Sequence, residues 1–216
     1  MKIGIELNNI IRDINFQLVK YYKKDIDKSF NDEDFDYNIT DVLPKLKFKN
    51  KKAKYEYVYV DYPYEIFGCA NAMDRKLNVT INNWLISLHE REDDKYEVCA
   101  FSDKEESLTI QSTYFFLSKI GSRIREMVFP INVTEMWDKC DVIITNNKDL
   151  IKSKPQGKVV VLINNNDNSK WKKKCDFNYD SLMELLEDEN FIDKVKEIIG
   201  KKSKFNIFGK IKKLFK

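Results

Sequence analysis

Unbroken apolar runs alternate with stretches that carry an apolar residue at every third or fourth position, a pattern that predicts an α/β fold. Lys2 to Leu7, Tyr96 to Phe101, Glu126 to Phe129, Asp141 to Thr145 and Lys158 to Ile163 are the strand-like runs. Pro130 ends the third, and Pro155-Gln156-Gly157 forms a turn ahead of the fifth. Such β-branched runs suit the interior of a parallel sheet covered by helices on both faces. Helical spacing marks Ile10 to Tyr22, Val79 to His89, Ser107 to Ile120 and Ser181 to Ile199, the last stopped at Gly200. Between Lys23 and Asp94 the pattern is less regular, with an acidic stretch from Asn31 to Asp36 and an aromatic one from Tyr55 to Phe67.

At 216 residues and 43% hydrophobic, the chain can bury one substantial core with a small insertion. No apolar run approaches the roughly 18 residues that span a bilayer, and the opening lacks the apolar core of a signal peptide. A soluble, intracellular protein is expected. Cys69, Cys99, Cys140 and Cys175 form no Cys-x-x-Cys pair, so neither a zinc site nor a disulfide framework is suggested. Cys99 and Cys140 sit in or beside strand-like runs, where a thiol behaves as a small hydrophobe. His89 is the sole histidine, which leaves a histidine-based metal site or a Ser-His-Asp triad without its partners.

The net charge of +3 hides an asymmetry. Residues 201–216 hold seven lysines and no acid, so +3 less seven leaves −4 for the first 200 residues. In this tail Phe205, Phe208, Ile211, Leu214 and Phe215 recur at three- and four-residue spacing with lysines between them. A helix there is basic and amphipathic. Three roles compete: docking to a groove of another protein, lying on an anionic membrane surface, or a solubilising end. Apolar residues at this density favour docking to protein, and with it a homo- or hetero-oligomer. Nucleic acid fits less well, because lysine without a reading motif gives only nonspecific phosphate attraction.

The candidate chemistry lies at the start of the chain. Ile3-Gly4-Ile5-Glu6-Leu7-Asn8-Asn9-Ile10-Ile11-Arg12-Asp13-Ile14 reads as a strand, a polar turn and a helix. This segment resembles the first motif of the haloacid dehalogenase (HAD) superfamily, in its nucleotidase-like phosphatase branch, where Asp-x-Asp stands in place of Glu6-Leu7-Asn8. The resemblance spans residues 1 to about 200. It implies a Rossmann-like core over 1–14 and 93–200, a cap inserted over 15–92, and the basic tail over 201–216. In that family the first aspartate is the nucleophile and the second the general acid and base. A serine or threonine ends the next strand, a lysine stabilises charge, and an acidic pair holds magnesium.

Carried over residue by residue, the resemblance implies a degenerate pocket. Glu6 replaces the nucleophile, its extra methylene pushing the carboxylate forward by about an ångström where that misplacement costs on the order of a hundredfold. Asn8 replaces the acid and base, and an amide exchanges no proton at neutral pH. Ser102 matches the second motif. Asn146 and Asn147 follow Asp141-Val142-Ile143-Ile144-Thr145 where the family carries its acids. For the lysine, Thr134 falls near the expected place, with Lys119 and Lys139 as imperfect substitutes. With one carboxylate left at matching positions, no magnesium and no other cofactor is expected, since magnesium takes its binding energy from charged oxygens.

Two functions follow from the resemblance. In the first, the chain is a pseudo-phosphatase used as a structural or protein-interaction subunit. Heavy use of lysine, asparagine, isoleucine and aspartate fits an AT-rich genome, and a setting inside a tailed bacteriophage particle is one such role. In the second, the chain is a magnesium-dependent phosphatase or 5'-nucleotidase with Glu6 acting in place of aspartate.

Overall fold

The computed structural model describes residues 1–30, 41–91, 95–103, 105–165 and 168–200. The acidic stretch from Asn31 to Asp36 and the whole tail fall outside these residues. Six strands form one sheet: β1 (Lys2–Glu6), β4 (Glu97–Phe101), β5 (Glu126–Val128), β6 (Val142–Thr145), β7 (Val159–Ile163) and β8 (Phe177–Tyr179). Their order is β5-β4-β1-β6-β7-β8 and every pairing is parallel. The sheet is therefore an α/β, Rossmann-like arrangement in which the chain winds outward from β1 in both directions. Ligand crevices in such sheets open at the carboxyl ends of the strands where the winding reverses, which here is the end of β1.

Both faces of the sheet are buried, as the unalternating runs require. Ile3, Ile5, Val142, Ile144, Val159 and Val161 point into one aliphatic core. Cys99, Phe101, Ile143, Val160 and Leu162 point into the other. Gly4 sits at the tightest place on β1: a Cβ there would lie 2.9 Å from the Cys140 sulfur. The first core is covered by α3 (Leu77–His89), α4 (Ser107–Lys119), α7 (Leu182–Glu187) and a further helix over 191–200. The second is covered by α5 (Met136–Lys139), α6 (Lys148–Lys152) and a 3-10 segment, Ser169–Lys174.

A third, largely aromatic cluster belongs to the insertion. It joins α1 (Ile14–Asp25) to two π-helical turns, Tyr57–Asp61 and Tyr64–Gly68, which follow α2 (Lys51–Glu56). The ring of Tyr22 meets Phe30 and Phe48 edge-on at 5.5 Å, and Tyr57 packs on Tyr62 at 4.7 Å. Within the aromatic stretch Tyr57, Val58, Ile66 and Phe67 are buried while Tyr55, Val60 and Tyr64 are exposed. The insertion is joined to the sheet at a two-stranded antiparallel neck, β2 (Arg12–Asp13) against β3 (Asn71–Ala72).

Three expectations change. The first helix begins at Ile14, not Ile10, because Asn9 adopts φ +57° and turns the chain back so that Arg12 and Asp13 pair as a strand. Asp13 then caps α1 by accepting from the Phe16 amide at 3.0 Å. Ile10 and Ile11 are buried in the sheet core from a loop, so their spacing mimics a helix that is not there. The helix expected from Ser181 to Ile199 is two helices. Asp188 leaves α7 in an extended conformation, takes hydrogen bonds from the Asn190 amide, the Tyr179 hydroxyl and Lys194 Nζ, and so starts the next helix. That helix includes Gly200 instead of stopping before it. Finally, Leu77, Ile81, Trp84 and Leu88 of α3 are buried in the sheet core, so packing places the change from insertion to core near residue 68 and not at 92.

Candidate functional site

The carboxyl ends of β1, β4 and β6 bring Glu6, Asn8, Ser102, Asn146 and Asn147 together, and these residues separate into two hydrogen-bonded halves. On the β6 side the buried Glu6 carboxylate accepts from Thr145 Oγ1 at 2.5 Å and from the Asn146 amide at 3.1 Å. Thr145 Oγ1 also accepts from the Asn147 amide at 2.9 Å. Asn147 is committed to capping α6, its Oδ1 accepting from the Asp149 amide at 2.9 Å. The Asn146 side-chain amide donates to the Asn9 carbonyl at 3.4 Å.

On the β4 side Asn8 is held from both ends of its amide. Its Nδ2 donates to Ser102 Oγ at 2.9 Å, while its Oδ1 accepts from Arg12 Nε at 3.0 Å and Nη2 at 2.6 Å. Arg12 is fully buried. Its Nη2 is ion-paired with Glu105, and its Nη1 donates to Thr113 Oγ1 at 2.5 Å and to the Phe67 carbonyl at 3.3 Å. Thr113 in turn donates to Glu105 Oε2 at 2.6 Å. The guanidinium carbon lies 5.1 Å from the Phe67 ring and 5.5 Å from the Phe116 ring. Burial draws the Arg12 pKa down and Glu105 opposes it; an arginine so paired keeps its charge.

A cleft of about 100 Å³ opens over these residues, lined by Glu6, Asn8, Asn9, Asn146 and Asn147 and, from the insertion, by Asp41 and Tyr59. Asp103 completes the rim. Among the described residues no lysine or arginine lines it, and three carboxylates do. The Tyr59 hydroxyl records the result: burial first, then Asp41 and Asp103, push its pKa up to about 12. Among the described residues no group of three His, Cys, Asp or Glu side chains stands close enough to share a metal ion.

The third-motif candidates are not brought to the cleft. Lys119 Nζ donates to the Ala70 carbonyl at 2.6 Å beside the Phe116 ring, and burial lowers its pKa. Thr134 is occupied with the Asn132 side chain, through both its amide and its hydroxyl. Lys139 is exposed at the end of α5. Arg12, Glu105 and Thr113 form the part of the site that sequence reasoning missed. The available signal was a single arginine inside the apolar run Ile10-Ile11-Arg12-Asp13-Ile14, since a charge there must be paired when buried.

The expected interface residues Phe205, Phe208, Ile211, Leu214 and Phe215 lie outside the described residues. His89 is exposed at the end of α3. Cys99 and Cys140 are buried with their sulfurs 3.6 Å apart, and all four cysteines are free. No described helix is long and apolar enough to cross a membrane. Neither a protein-family model nor a curated protein sequence matches the chain.

Proposed function

We propose that the chain is a HAD-like domain without phosphatase activity that serves as a structural or protein-interaction subunit. The observation that carries this reading is the grip of Arg12 on Asn8. The carbonyl oxygen that would face a magnesium ion or a leaving group accepts instead from two guanidinium nitrogens of a fully buried cation. A divalent ion at that oxygen would meet Arg12 at close range in a poorly solvated site, where like charges repel strongly. The donor set therefore does not fit magnesium, and no catalytic step is derived through it.

Shape and field argue the same way. Small-molecule sites commonly enclose about 300–1,000 Å³, whereas this cleft offers about 100 Å³. A phosphate dianion entering it would face Glu6, Asp41 and Asp103 without a lining cation among the described residues. Phosphoryl transfer depends on positioning and charge neutralisation, and this lining supplies neither. The rival reading keeps Glu6 as a nucleophile, and Glu6 does line the cleft. Its Oε2, however, is engaged by Thr145 and Asn146.

Hydrolysis of p-nitrophenyl phosphate and of nucleoside monophosphates by the purified chain with magnesium decides between them. The expected rate equals that of a Glu6→Ala variant. A rate that depends on Glu6 establishes the phosphatase instead.

A further inference from the structure

Two buried nucleophiles have no part in the cleft. Cys99 and Cys140 are fully enclosed, and their sulfurs lie 3.6 Å apart although 41 positions separate them in sequence. Cys99 is on β4 and Cys140 directly precedes β6, and these two strands stand on opposite sides of β1. Strands two places apart in a sheet are separated by about 9–10 Å, so thiols on them do not ordinarily touch. Gly4 is the reason that these do. It pairs with Cys99 in the register of β1 and β4, and a Cβ on it would lie 2.9 Å from the Cys140 sulfur. With no side chain on β1 at that point, Cys140 reaches across the strand from the end of α5 to meet Cys99.

We propose that Cys99 and Cys140 form a dithiol that a hydroperoxide closes to a disulfide inside the folded chain. A disulfide bond is about 2.05 Å long, so the sulfurs need to approach by about 1.5 Å, a shift that turning about the two Cα–Cβ bonds shares between them. With hydrogen peroxide, the Cys99 thiolate attacks one oxygen, the O–O bond breaks, and the leaving hydroxide takes up the proton that Cys99 gave up. The Cys140 sulfur then attacks the sulfenic sulfur of Cys99. The S–S bond forms, the S–O bond breaks, and hydroxide leaves as water with the Cys140 proton. The two thiols thus lose two electrons and two protons, and the peroxide gains both to become two waters.

The surroundings suit that order of events. The hydrogen bond between the thiols draws Cys99 below its ordinary pKa against the effect of burial, and pushes Cys140 above its own. Cys99 is therefore the sulfur that attacks first. Lys2 and Glu126 lie close enough to act on the charge of both sulfurs, and their own side chains are 22% and 45% exposed. A thin layer of side chains thus separates the pair from water, and a molecule of two oxygens has only that layer to cross. Among the described residues this is the one pair of cysteines in hydrogen-bond contact, since Cys175 donates instead to the Trp171 carbonyl. Closure of the pair uses no residue that lines the cleft, so an active cleft leaves it standing.

Treatment of the folded full chain with hydrogen peroxide, followed by alkylation in urea and tryptic mapping, tests the pair. Peptides 96–104 and 140–148, which carry Cys99 and Cys140, are expected joined and two hydrogens lighter than their sum. Dithiothreitol is expected to separate them. In Cys140→Ser, whose hydroxyl still donates to Cys99, the same treatment is expected to leave Cys99 unjoined and one oxygen heavier. Gly4→Ala, which puts a methyl group against the Cys140 sulfur, is expected to slow the joining by roughly tenfold or more. Circular dichroism establishes that each variant is folded, and the parent result alone decides if Gly4→Ala is not. Peroxide that leaves both thiols open to alkylation in the folded chain overturns the proposal and returns the two cysteines to plain packing. A link formed only after urea has unfolded the chain, or one that runs to Cys69 or Cys175 instead, overturns it too, as does a folded Gly4→Ala chain that closes as fast as the parent.

Discussion

The two halves of the cleft face the same polar turn and solve opposite problems. On the β6 side one negative group, Glu6, is satisfied by neutral donors, a hydroxyl and a backbone amide. On the β4 side a full cation and a full anion, Arg12 and Glu105, are buried together and stitched to Asn8, Thr113 and the Phe67 carbonyl. The first arrangement can lose its carboxylate and leave only dipoles unpaired. The second cannot lose either charge without stranding the other where water does not reach. Buried ion networks of this kind contribute little net stability against a hydrophobic replacement but are costly to break.

That asymmetry sets the size of the expected effects. Arg12→Ala strands Glu105 and is expected to cost about 3–5 kcal/mol in urea unfolding. An Arg12→Met, Glu105→Leu pair is expected to recover part of this, and a pair as damaging as Arg12→Ala alone would show that the charges themselves contribute little to the loss. Glu6→Ala leaves the Thr145 hydroxyl and Asn146 amide without this acceptor, for an expected loss of about 1–3 kcal/mol. If Glu6→Ala costs as much as Arg12→Ala, the two halves are not different in kind.

The smallest effect is in alkaline solution. Tyr59 ionises near 10 when unfolded and at about 12 in the fold, raised by burial and by Asp41 and Asp103. Its neutral form thus favours the folded chain below pH 10, and that contribution is lost as pH rises from 10 through 12. Tyr59→Phe is expected to show a shallower fall in urea midpoint over this window than the parent. An equal slope in both proteins removes Tyr59 as a reporter of the cleft's negative field.

The central strands were legible because β-branched residues buried on both faces leave an unmistakable run, as in Val159-Val160-Val161-Leu162-Ile163. β8 was not legible: Phe177-Asn178-Tyr179 is too short for any period, and only its pairing with β7 makes it a strand. The positions of Glu6, Asn8, Ser102 and Asn146 at one sheet end were readable, because strand ends carry them there. What holds them was not readable. Arg12 and Glu105 lie 93 positions apart, and their meeting depends on how α4 packs against the turn. The same limit applied to α3, whose run Val79 to His89 reads as a helix but does not say which core its apolar side enters.

The neck formed by Arg12–Asp13 and Asn71–Ala72 has a consequence for how the molecule tolerates change. Partners across antiparallel strands stand about 5 Å apart, so the chain leaves and re-enters the sheet layer at almost one point. The fifty-odd positions between can lengthen, shorten or be exchanged as a module, much as a loop tip accepts insertions. The guanidinium of Arg12 qualifies that freedom: it rests on the Phe67 carbonyl and ring, so any replacement must bring its own carbonyl and apolar lid to the same spot.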